Sequence, residues 1–385
     1  MCRSWLNFLS EAVGRIETSG CTTIASMLRS KSRRSFAASF LAACVCGLLL
    51  VAGVRAAADT LPVKLADQEF WAIVQGFSER PGTFPSDNLL SNERGLQTII
   101  PDLTRQVQKG GVYLGVGPEQ NFTYMVALRP RMAFIFDIRR GNMALHLVYK
   151  ALFELSTDRA EFVSRLFCRK RPSGLTASST VAEIFDAFSR VTTTESEYVA
   201  NVRAVVSQLT RTHGFPLSAD DLLRLQHDYR AFYLYGPAIQ YSSNKNGGRR
   251  GVEPTYADLM AATDGQGELR AFLASEESFL FLKQMETDNL VVPLIGNFVG
   301  PKAIRAVGEY LKQRSAIVSA FYVSNVEQYL MQDDTWPRFC ANVAALPLDE
   351  TSTFIRSIRD RTPNSPFALI SELGHIADEV TNCGI

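Results

Sequence analysis

The sequence predicts an α/β protein that has a mostly parallel sheet, helices on both faces of it, and a large helical insertion. Three observations support this fold class. A strand pattern, a helix pattern and a second strand pattern follow one another within residues 112–140, and the alternation returns within residues 289–346. Between these regions, residues 157–285 carry helical apolar stripes over a length that no simple crossover needs. Because parallel strands are joined by helical crossovers, the alternation favours a three-layer α/β domain.

The composition is that of a globular chain, and the expected partner is a small-molecule ligand. The chain has 385 residues, of which 46% are hydrophobic, and a formal net charge of +1. This near-neutral balance argues against a dedicated nucleic-acid binder, so we expect no nucleic-acid partner. The four histidines have no metal-ligand spacing to one another, and we expect no metal site.

The first part of the chain is predicted to be a targeting segment. Basic residues 31–36 (Lys-Ser-Arg-Arg-Ser-Phe) precede an apolar run over 37–54 and small residues over 56–58. This order is typical of a signal peptide, and the two arginines resemble a twin-arginine signal. We therefore expect an exported, periplasmic protein. A Sec signal, an uncleaved N-terminal membrane anchor and a lipidated Cys44 are alternatives, and the start lies at Met1 or Met27.

The patterns divide the chain into five parts. The targeting segment (1–58) and an N-terminal helical segment (59–111) precede the first half of the α/β domain (112–156). The helical insertion (157–288) separates that half from the second half (289–385). After residue 58 only three cysteines remain, which allows one disulfide pair in an exported protein or buried free thiols. Their positions are Cys168, Cys340 and Cys383.

The most informative stretch is a predicted strand-helix-strand unit. Val112–Val116 is a short apolar run typical of a buried strand. Pro118 suits the first turn of a helix, and the Arg129-Pro130 pair ends it. Ala133–Phe136 is a second buried strand. The unit therefore predicts two parallel strands joined by one helix.

A glycine turn and a carboxylate accompany this unit. Gly115 and Gly117 allow a tight turn and close approach of a ligand, and Asp137 follows Gly115 by 22 residues. Backbone N–H groups at a helix start bind polar or anionic groups, and such a carboxylate accepts hydrogen bonds from ribose hydroxyls. The stretch therefore predicts a nucleotide-type site. The alternative is an ordinary crossover in which Asp137 caps the next helix.

The pattern resembles the class I S-adenosylmethionine (SAM) methyltransferases, a Rossmann-like fold. In that family the glycine loop follows strand 1, and the acid after strand 2 holds the adenosyl ribose. The resemblance covers residues 112–156 and 289–346. The family has an acid where this chain has Tyr113, and a glycine where it has Glu119. The stretches Gly-Val-Gly-Pro-Glu-Gln-Asn and Asp-Ile-Arg-Arg are also similar to uncharacterised exported bacterial proteins.

The segment before strand 1 is predicted to be helical. Asp67 to Glu79 and Pro101 to Gln108 have helical patterns, and Ser91 could cap a helix that runs through Thr98. The resemblance implies that this segment covers the cofactor, which makes Asn92 and Glu93 possible contacts; helix capping is the alternative.

A helix that runs to Leu155 is predicted to follow the carboxylate. It opens at Arg139 and Arg140, which could hold a phosphate or an acidic substrate or could simply be solvated. The insertion then ends with helices over 256–263 and 267–287, after a polar, glycine-rich loop over 241–251.

The second half is predicted to add further strands and helices. The expected strands are 289–295, 316–323 and 339–346; the expected helices are 301–314 and 350–359; residues 367–380 supply one strand or helix. Asn297, Phe298, Ser324 and Asn325 follow strands of this half, so they should lie at the carboxyl edge, where open α/β sheets bind ligands.

The resemblance assigns a role to each candidate residue. Gly115, Gly117 and Glu119 would form the loop around the methionine part of SAM, and Asp137 would bind its ribose. Asn297 and Phe298 would meet the adenine, and Ser324 and Asn325 would lie beside the methyl group. Catalytic residues stay unassigned, and three side chains could act as a base: Glu119, Tyr322 and Glu327.

Three functions are compatible with these features. The first is SAM-dependent methylation of a small molecule or an envelope component. The second is a methyltransferase-like fold that has lost catalysis and serves as an exported binding or structural protein. Export favours the second, because SAM is made in the cytoplasm. The third is an NAD(P)-dependent oxidoreductase, which is disfavoured because Gln120 occupies the third glycine position of a dinucleotide fingerprint.

Overall fold

A mixed α/β architecture with a six-stranded, mostly parallel sheet forms the centre of the protein. The structure, a computed structural model, describes residues 59–241, 253–361 and 369–381. The predicted targeting segment, Cys383 and nearly all of the predicted polar loop therefore lie outside the described residues. The strands are β1 (Val112–Val116), β2 (Met132–Asp137), β3 (Val291–Ile295), β4 (Val318–Ser324), β5 (Thr353–Arg359) and β6 (Leu369–His375).

The spatial order of the strands is β3-β2-β1-β4-β5-β6. All neighbouring pairs are parallel except β5 and β6, which are antiparallel. The central strands are apolar almost throughout and buried on both faces, as expected for a parallel sheet covered by helices. The order reverses between β1 and β4, and a crevice forms at the carboxyl end of such a reversal.

Helices connect the strands and cover the sheet. The helices outside the insertion are α1 (Asp67–Phe77), α2 (Ile100–Gln106), α3 (Gln120–Leu128), α4 (Arg140–Leu155), α11 (Ala303–Lys312), α12 (Val326–Gln332), α13 (Trp336–Val343) and α14 (Ile376–Thr381). The predicted unit β1-α3-β2 is present, and α4 packs on β2 and β3. Helix α11 packs against α1 and α13.

The insertion is mainly helical, as predicted. Its helices are α5 (Arg159–Leu166), α6 (Val181–Ser189), α7 (Glu195–Ser207), α8 (Ala219–Tyr235), α9 (Tyr256–Ala261) and α10 (Glu276–Thr287). Three of them begin with a capping box, in which Thr180, Ser218 and Thr255 each exchange hydrogen bonds with the acidic residue three positions later. Phenylalanine rings of the insertion pack on Phe122 and Phe153, so insertion and sheet share one core.

Four local predictions were wrong. Residues 339–343 of the predicted strand 339–346 belong to α13, and the predicted helix 350–359 contains β5. A short apolar run has no decisive periodicity, and Arg356 of β5 is buried against Glu327 and Glu379. Ser91 caps no helix, because only a 3₁₀ turn forms at Leu96–Ile99. Residues 267–275 are not helical, and α10 begins after the cap Ser275.

The structure also shows the states of two cysteines and the character of the helices in the described residues. Cys168 is a buried free thiol, whereas Cys340 is disulfide-bonded. Among residues 59–241, 253–361 and 369–381, no helix combines the length and apolarity that crossing a membrane requires.

A buried ionic network ties the insertion to the sheet. His213 follows α7 and contacts Asp67 of α1 through Nδ1 and Glu154 of α4 through Nε2, each at 2.7 Å. Since carboxylates only accept hydrogen bonds, both ring nitrogens carry a proton. Burial opposes this charge, but the hydrogen bonds to Glu154 and Asp67 outweigh it and raise the pKa of His213. Lys150 completes the network by its ion pair with Glu154.

Loss of the His213 proton should weaken the fold. Because its pKa is raised in the folded protein, its contribution to stability is complete below about pH 6.5 and is lost as the pH rises through the folded-state pKa. We expect His213→Gln to be less stable than wild type at pH 6 and to approach it at pH 9. Urea unfolding of both proteins across this range measures the difference. A difference that does not depend on pH would contradict the charged state of His213.

Candidate functional site

The predicted glycine loop joins β1 to α3 and is filled by the protein's own side chains. A Cβ atom on Gly115 would lie 1.9 Å from Oδ1 of Asn121 and 2.8 Å from the ring of Tyr113. The Tyr113 hydroxyl donates to that same oxygen at 2.9 Å. The side-chain nitrogen of Asn121 lies within hydrogen-bond distance of the carbonyls of Val116, Gly117 and Pro118. Gly115 therefore provides space for Asn121.

Gly117 adopts the left-handed conformation that glycine favours, with φ of 79°. Its N–H donates to the Phe136 carbonyl at 3.2 Å. Its own carbonyl accepts from Asn142 at 3.2 Å and from Nε2 of His146 at 2.9 Å. Burial lowers the pKa of His146 to about 4, so the ring is neutral near pH 7 and its Nδ1 is an acceptor. The loop is thus bonded internally on both sides of Gly117.

Glu119 is buried at the start of α3. Its Oε1 accepts from the Ser91 N–H at 3.1 Å, and its Oε2 has no partner among the described residues. Burial raises the pKa of Glu119 to about 8, so the carboxyl is mostly protonated at neutral pH. The hydrogen bond between Ser91 and Glu119 holds residues 89–93 against the glycine loop.

Asp137 ends β2, as predicted, and its carboxylate is held by Arg139, two residues later in the chain. Oδ1 accepts from the backbone N–H and Nε of Arg139 at 2.8 and 3.0 Å, and Oδ2 accepts from Nη2 at 2.6 Å. The same guanidinium donates to the Asp87 carbonyl. Both carboxylate oxygens that would accept from a ribose are therefore engaged by Arg139.

Asn297 and Phe298 lie directly beyond β3. The Asn297 side chain accepts from the Val299 N–H at 3.0 Å, and its backbone N–H donates to Glu79 at 3.1 Å. Phe298 is buried and stacks on Phe339, with ring centroids 5.5 Å apart. These contacts are those of a structural turn and a core ring.

Ser324 ends β4 with φ of 51° and donates from its hydroxyl to Oε1 of Glu93 at 2.8 Å. The Tyr322 hydroxyl donates to the same carboxyl oxygen. Asn325 precedes α12 without capping it through its side chain. We call residues 89–93 the covering segment. Glu93, which was predicted as a possible contact, joins this segment to β4.

The structure thus brings together some of the predicted residues. Glu119 and Ser324 contact the covering segment through Ser91 and Glu93, and Gly117 lies in the same loop as Glu119. Asp137 lies with Arg139 at the neighbouring strand end, and Asn297 lies beyond β3. Of the three possible bases, Glu327 is occupied by an ion pair with Arg356. The ligand roles of all these residues stay predictions.

Sequence reasoning missed the polar atoms that accompany this covered region. Two of these buried atoms have no hydrogen-bond partner in the described part of the chain: Oε2 of Glu119 and Oε1 of Gln120. Close to them, the Glu93 carboxyl has a hydrogen bond with Ser357 and the Tyr124 hydroxyl has one with Ser371. The Glu93 charge raises the pKa values of Tyr124 and Glu119, after the larger effect of burial. No spacing in the sequence signals this cluster, because its residues come from elements that are far apart in the sequence.

An open cleft of about 920 Å³ lies beside Asp137 and was also missed. Its walls are residues 81–87, the start of α4, Tyr198 of α7 and one face of α8. The Arg139-Arg140 pair was the only sequence signal for it. Among the described residues, no group of three or more His, Cys, Asp or Glu side chains is placed to hold a metal ion.

Comparison with known proteins gives one family. No curated protein matches the chain. The model of a domain of unknown function, DUF7790, matches residues 89–375, which include the covering segment, the whole sheet and the insertion. Since this match spans most of the chain, the protein belongs to the DUF7790 family.

Proposed function

We propose that this protein is an exported, non-catalytic binding protein built on a Rossmann-like, methyltransferase-like fold. The strand order, with β1 at the centre and β4 beyond the reversal, supports that fold, since it places the glycine loop and Asp137 at the crevice. The disulfide-bonded Cys340 supports export, because disulfides persist in oxidising compartments.

One observation carries the non-catalytic assignment: the atoms that SAM would need are already bonded within the protein. Asn121 occupies the space at Gly115, the Gly117 N–H donates to Phe136, and Arg139 holds both oxygens of Asp137. A ligand would have to break these contacts and displace the segment fastened by Ser91 and Glu93. A methyltransferase that turns over many SAM molecules would instead gain from a preorganised open site.

Calorimetric titration with SAM, S-adenosylhomocysteine, NAD and NADP tests this proposal. We expect no micromolar binding of any of the four, because each would compete with intramolecular hydrogen bonds. Asp137→Ala is the matched variant, and it should keep the wild-type circular dichroism spectrum. Micromolar binding of SAM to wild type that Asp137→Ala abolishes would contradict the proposal and identify an adenosyl site. Binding of NAD or NADP would instead favour an oxidoreductase.

SAM-dependent methylation is the second candidate, and one observation favours it. Oε2 of Glu119 and Oε1 of Gln120 are buried beside the glycine loop and have no hydrogen-bond partner among the described residues. The ammonium and sulfonium groups of SAM would supply positive charge and N–H donors there. Under this alternative, Glu119→Gln would weaken the binding of SAM more than that of a neutral adenosyl analogue.

A further inference from the structure

The cleft of about 920 Å³ is a second place where a ligand fits. Its volume lies in the range that small-molecule sites occupy. None of its lining residues is a predicted adenosyl contact, although Arg139 of the lining holds Asp137. The cleft is lined by four arginines, one histidine and three aspartates: Arg139, Arg140, Arg224, Arg230, His227, Asp87, Asp220 and Asp228.

The arginines keep donors available for a ligand. Arg224 donates through Nε to Asp220, and Arg230 donates through Nη1 to Glu195. Each guanidinium has five N–H groups. Arg230 also makes a side-chain hydrogen bond with Tyr198. The Arg224 and Arg230 side chains are 47% and 49% exposed, so N–H groups of both remain accessible from the cleft. Arg140 is held more firmly, by Asp221 at 2.6 and 2.9 Å.

His227 adds a further donor on the same face of α8. Its Nδ1 contacts Oδ1 of the buried Asp228 at 3.1 Å, while 69% of the His227 side chain is exposed. The hydrogen bond to Asp228 raises the pKa of His227, which burial opposes; the Asp87 charge raises this pKa further and the Arg224 charge lowers it. Because Nδ1 is directed to Asp228, the Nε2–H group remains for a ligand.

We propose that this arginine cleft binds a small molecule through an oxyanion, the phosphate or carboxylate group of that molecule. Arg224 and Arg230 supply the planar N–H groups that match such oxyanions in a bidentate way. His227, oriented by Asp228, supplies a third donor. The proposal is independent of adenosyl binding, since Arg224, Arg230 and His227 take no part in that site.

Isothermal titration of the full chain with pyrophosphate and with citrate at pH 6.5 and low salt tests the proposal. We expect at least one of the two anions to bind at submillimolar concentration. The double variant Arg224→Gln/Arg230→Gln should bind about tenfold or more weakly, because charge-assisted hydrogen bonds to the anion are lost. Arg190→Gln is the matched control, since Arg190 also pairs with an aspartate four positions earlier on an exposed helix end and lies outside the cleft.

The identity of the bound anion and the pH dependence complete the test. Binding of pyrophosphate alone identifies a phosphorylated ligand, and binding of citrate alone identifies a carboxylate. Affinity should fall as the pH rises above 6.5 in wild type, and this fall should be absent in His227→Asn. The proposal is overturned if neither anion binds at millimolar concentration. It is also overturned if the double variant, folded by circular dichroism, binds as tightly as Arg190→Gln.

Discussion

Gly115→Ala is expected to destabilise the protein by about 3 kcal/mol or more, the first of the two largest effects that the structure predicts. The added methyl group would lie 1.9 Å from Oδ1 of Asn121 and 2.8 Å from the Tyr113 ring, so Asn121 must move. Its movement removes the side-chain donor of the Pro118 carbonyl and the acceptor of the Tyr113 hydroxyl, and each unpaired buried polar group costs about 1–3 kcal/mol. Urea unfolding at pH 7 measures the loss.

Gly76→Ala is the matched control for this substitution. Gly76 lies in α1, and an added Cβ atom would meet nothing within 4 Å. Alanine is favoured over glycine in a helix, so this variant should be as stable as wild type or up to about 1 kcal/mol more stable. Equal effects of the two substitutions would contradict the tight fit at Gly115.

A double-mutant cycle isolates the contact with Asn121. If Asn121 is the obstacle, Gly115→Ala should cost much less in the Asn121→Ala background than in wild type. Strict additivity of the two substitutions would show that the contact has no energetic consequence. It would also remove the main support for a glycine loop closed by the protein itself.

Lys150→Met is expected to cost about 3 kcal/mol, because it breaks a buried ion pair and leaves one partner behind. Lys150 is fully buried, and its Nζ lies 2.8 Å from Oε1 of Glu154 and donates to the Glu286 carbonyl. Burial raises the pKa of the Glu286 carboxyl to about 8, so this group is mostly neutral at pH 7 and does not balance Lys150. Glu154 is the negative charge that balances Lys150, and Asp67 adds a second carboxylate to the network.

The consequence for Glu154 is specific. Burial opposes its ionisation, but hydrogen bonds from His213 and the charge of Lys150 lower its pKa. In Lys150→Met the remaining His213 must balance both Glu154 and Asp67. Urea unfolding at pH 7 should therefore show a large loss for Lys150→Met. Lys312→Met, at an exposed position of α11, is the control and should change stability by less than about 0.5 kcal/mol. A loss below about 1 kcal/mol for Lys150→Met would contradict the network.

Much of the fold could be predicted from local pattern. Strands β1 to β4 are continuous apolar runs bounded by turns, and such runs in alternation with helices determine a parallel sheet. The start of α4 and the helical character of the insertion follow from apolar periodicity in the same way. The errors at α13 and β5 occurred where a short run fits either period, and where an ion pair buries a charged residue such as Arg356.

The candidate site was predictable only in its position. The sequence places Gly117, Asp137 and Ser324 at strand ends, and the parallel sheet puts those ends on one edge. Asn121 fills the space at Gly115, and Arg139 holds Asp137. No rule of sequence spacing specifies either pairing. Glu93 meets Ser324 across 231 residues of sequence separation, and the arginine cleft joins residues 81–87 to α8.

The sequence by itself therefore determined the order of strands and helices as far as β4 and the location of a glycine loop with an acid at the end of the neighbouring strand. These depend on short-range periodicity and turn chemistry, which neighbouring residues specify. Only the tertiary structure decided that the loop is closed by Asn121, that Arg139 occupies Asp137, and that an open cleft lies beside them. The physical reason is that burial, hydrogen-bond pairing and pKa shifts arise from residues that are distant in sequence and meet only when the sheet and the insertion pack together.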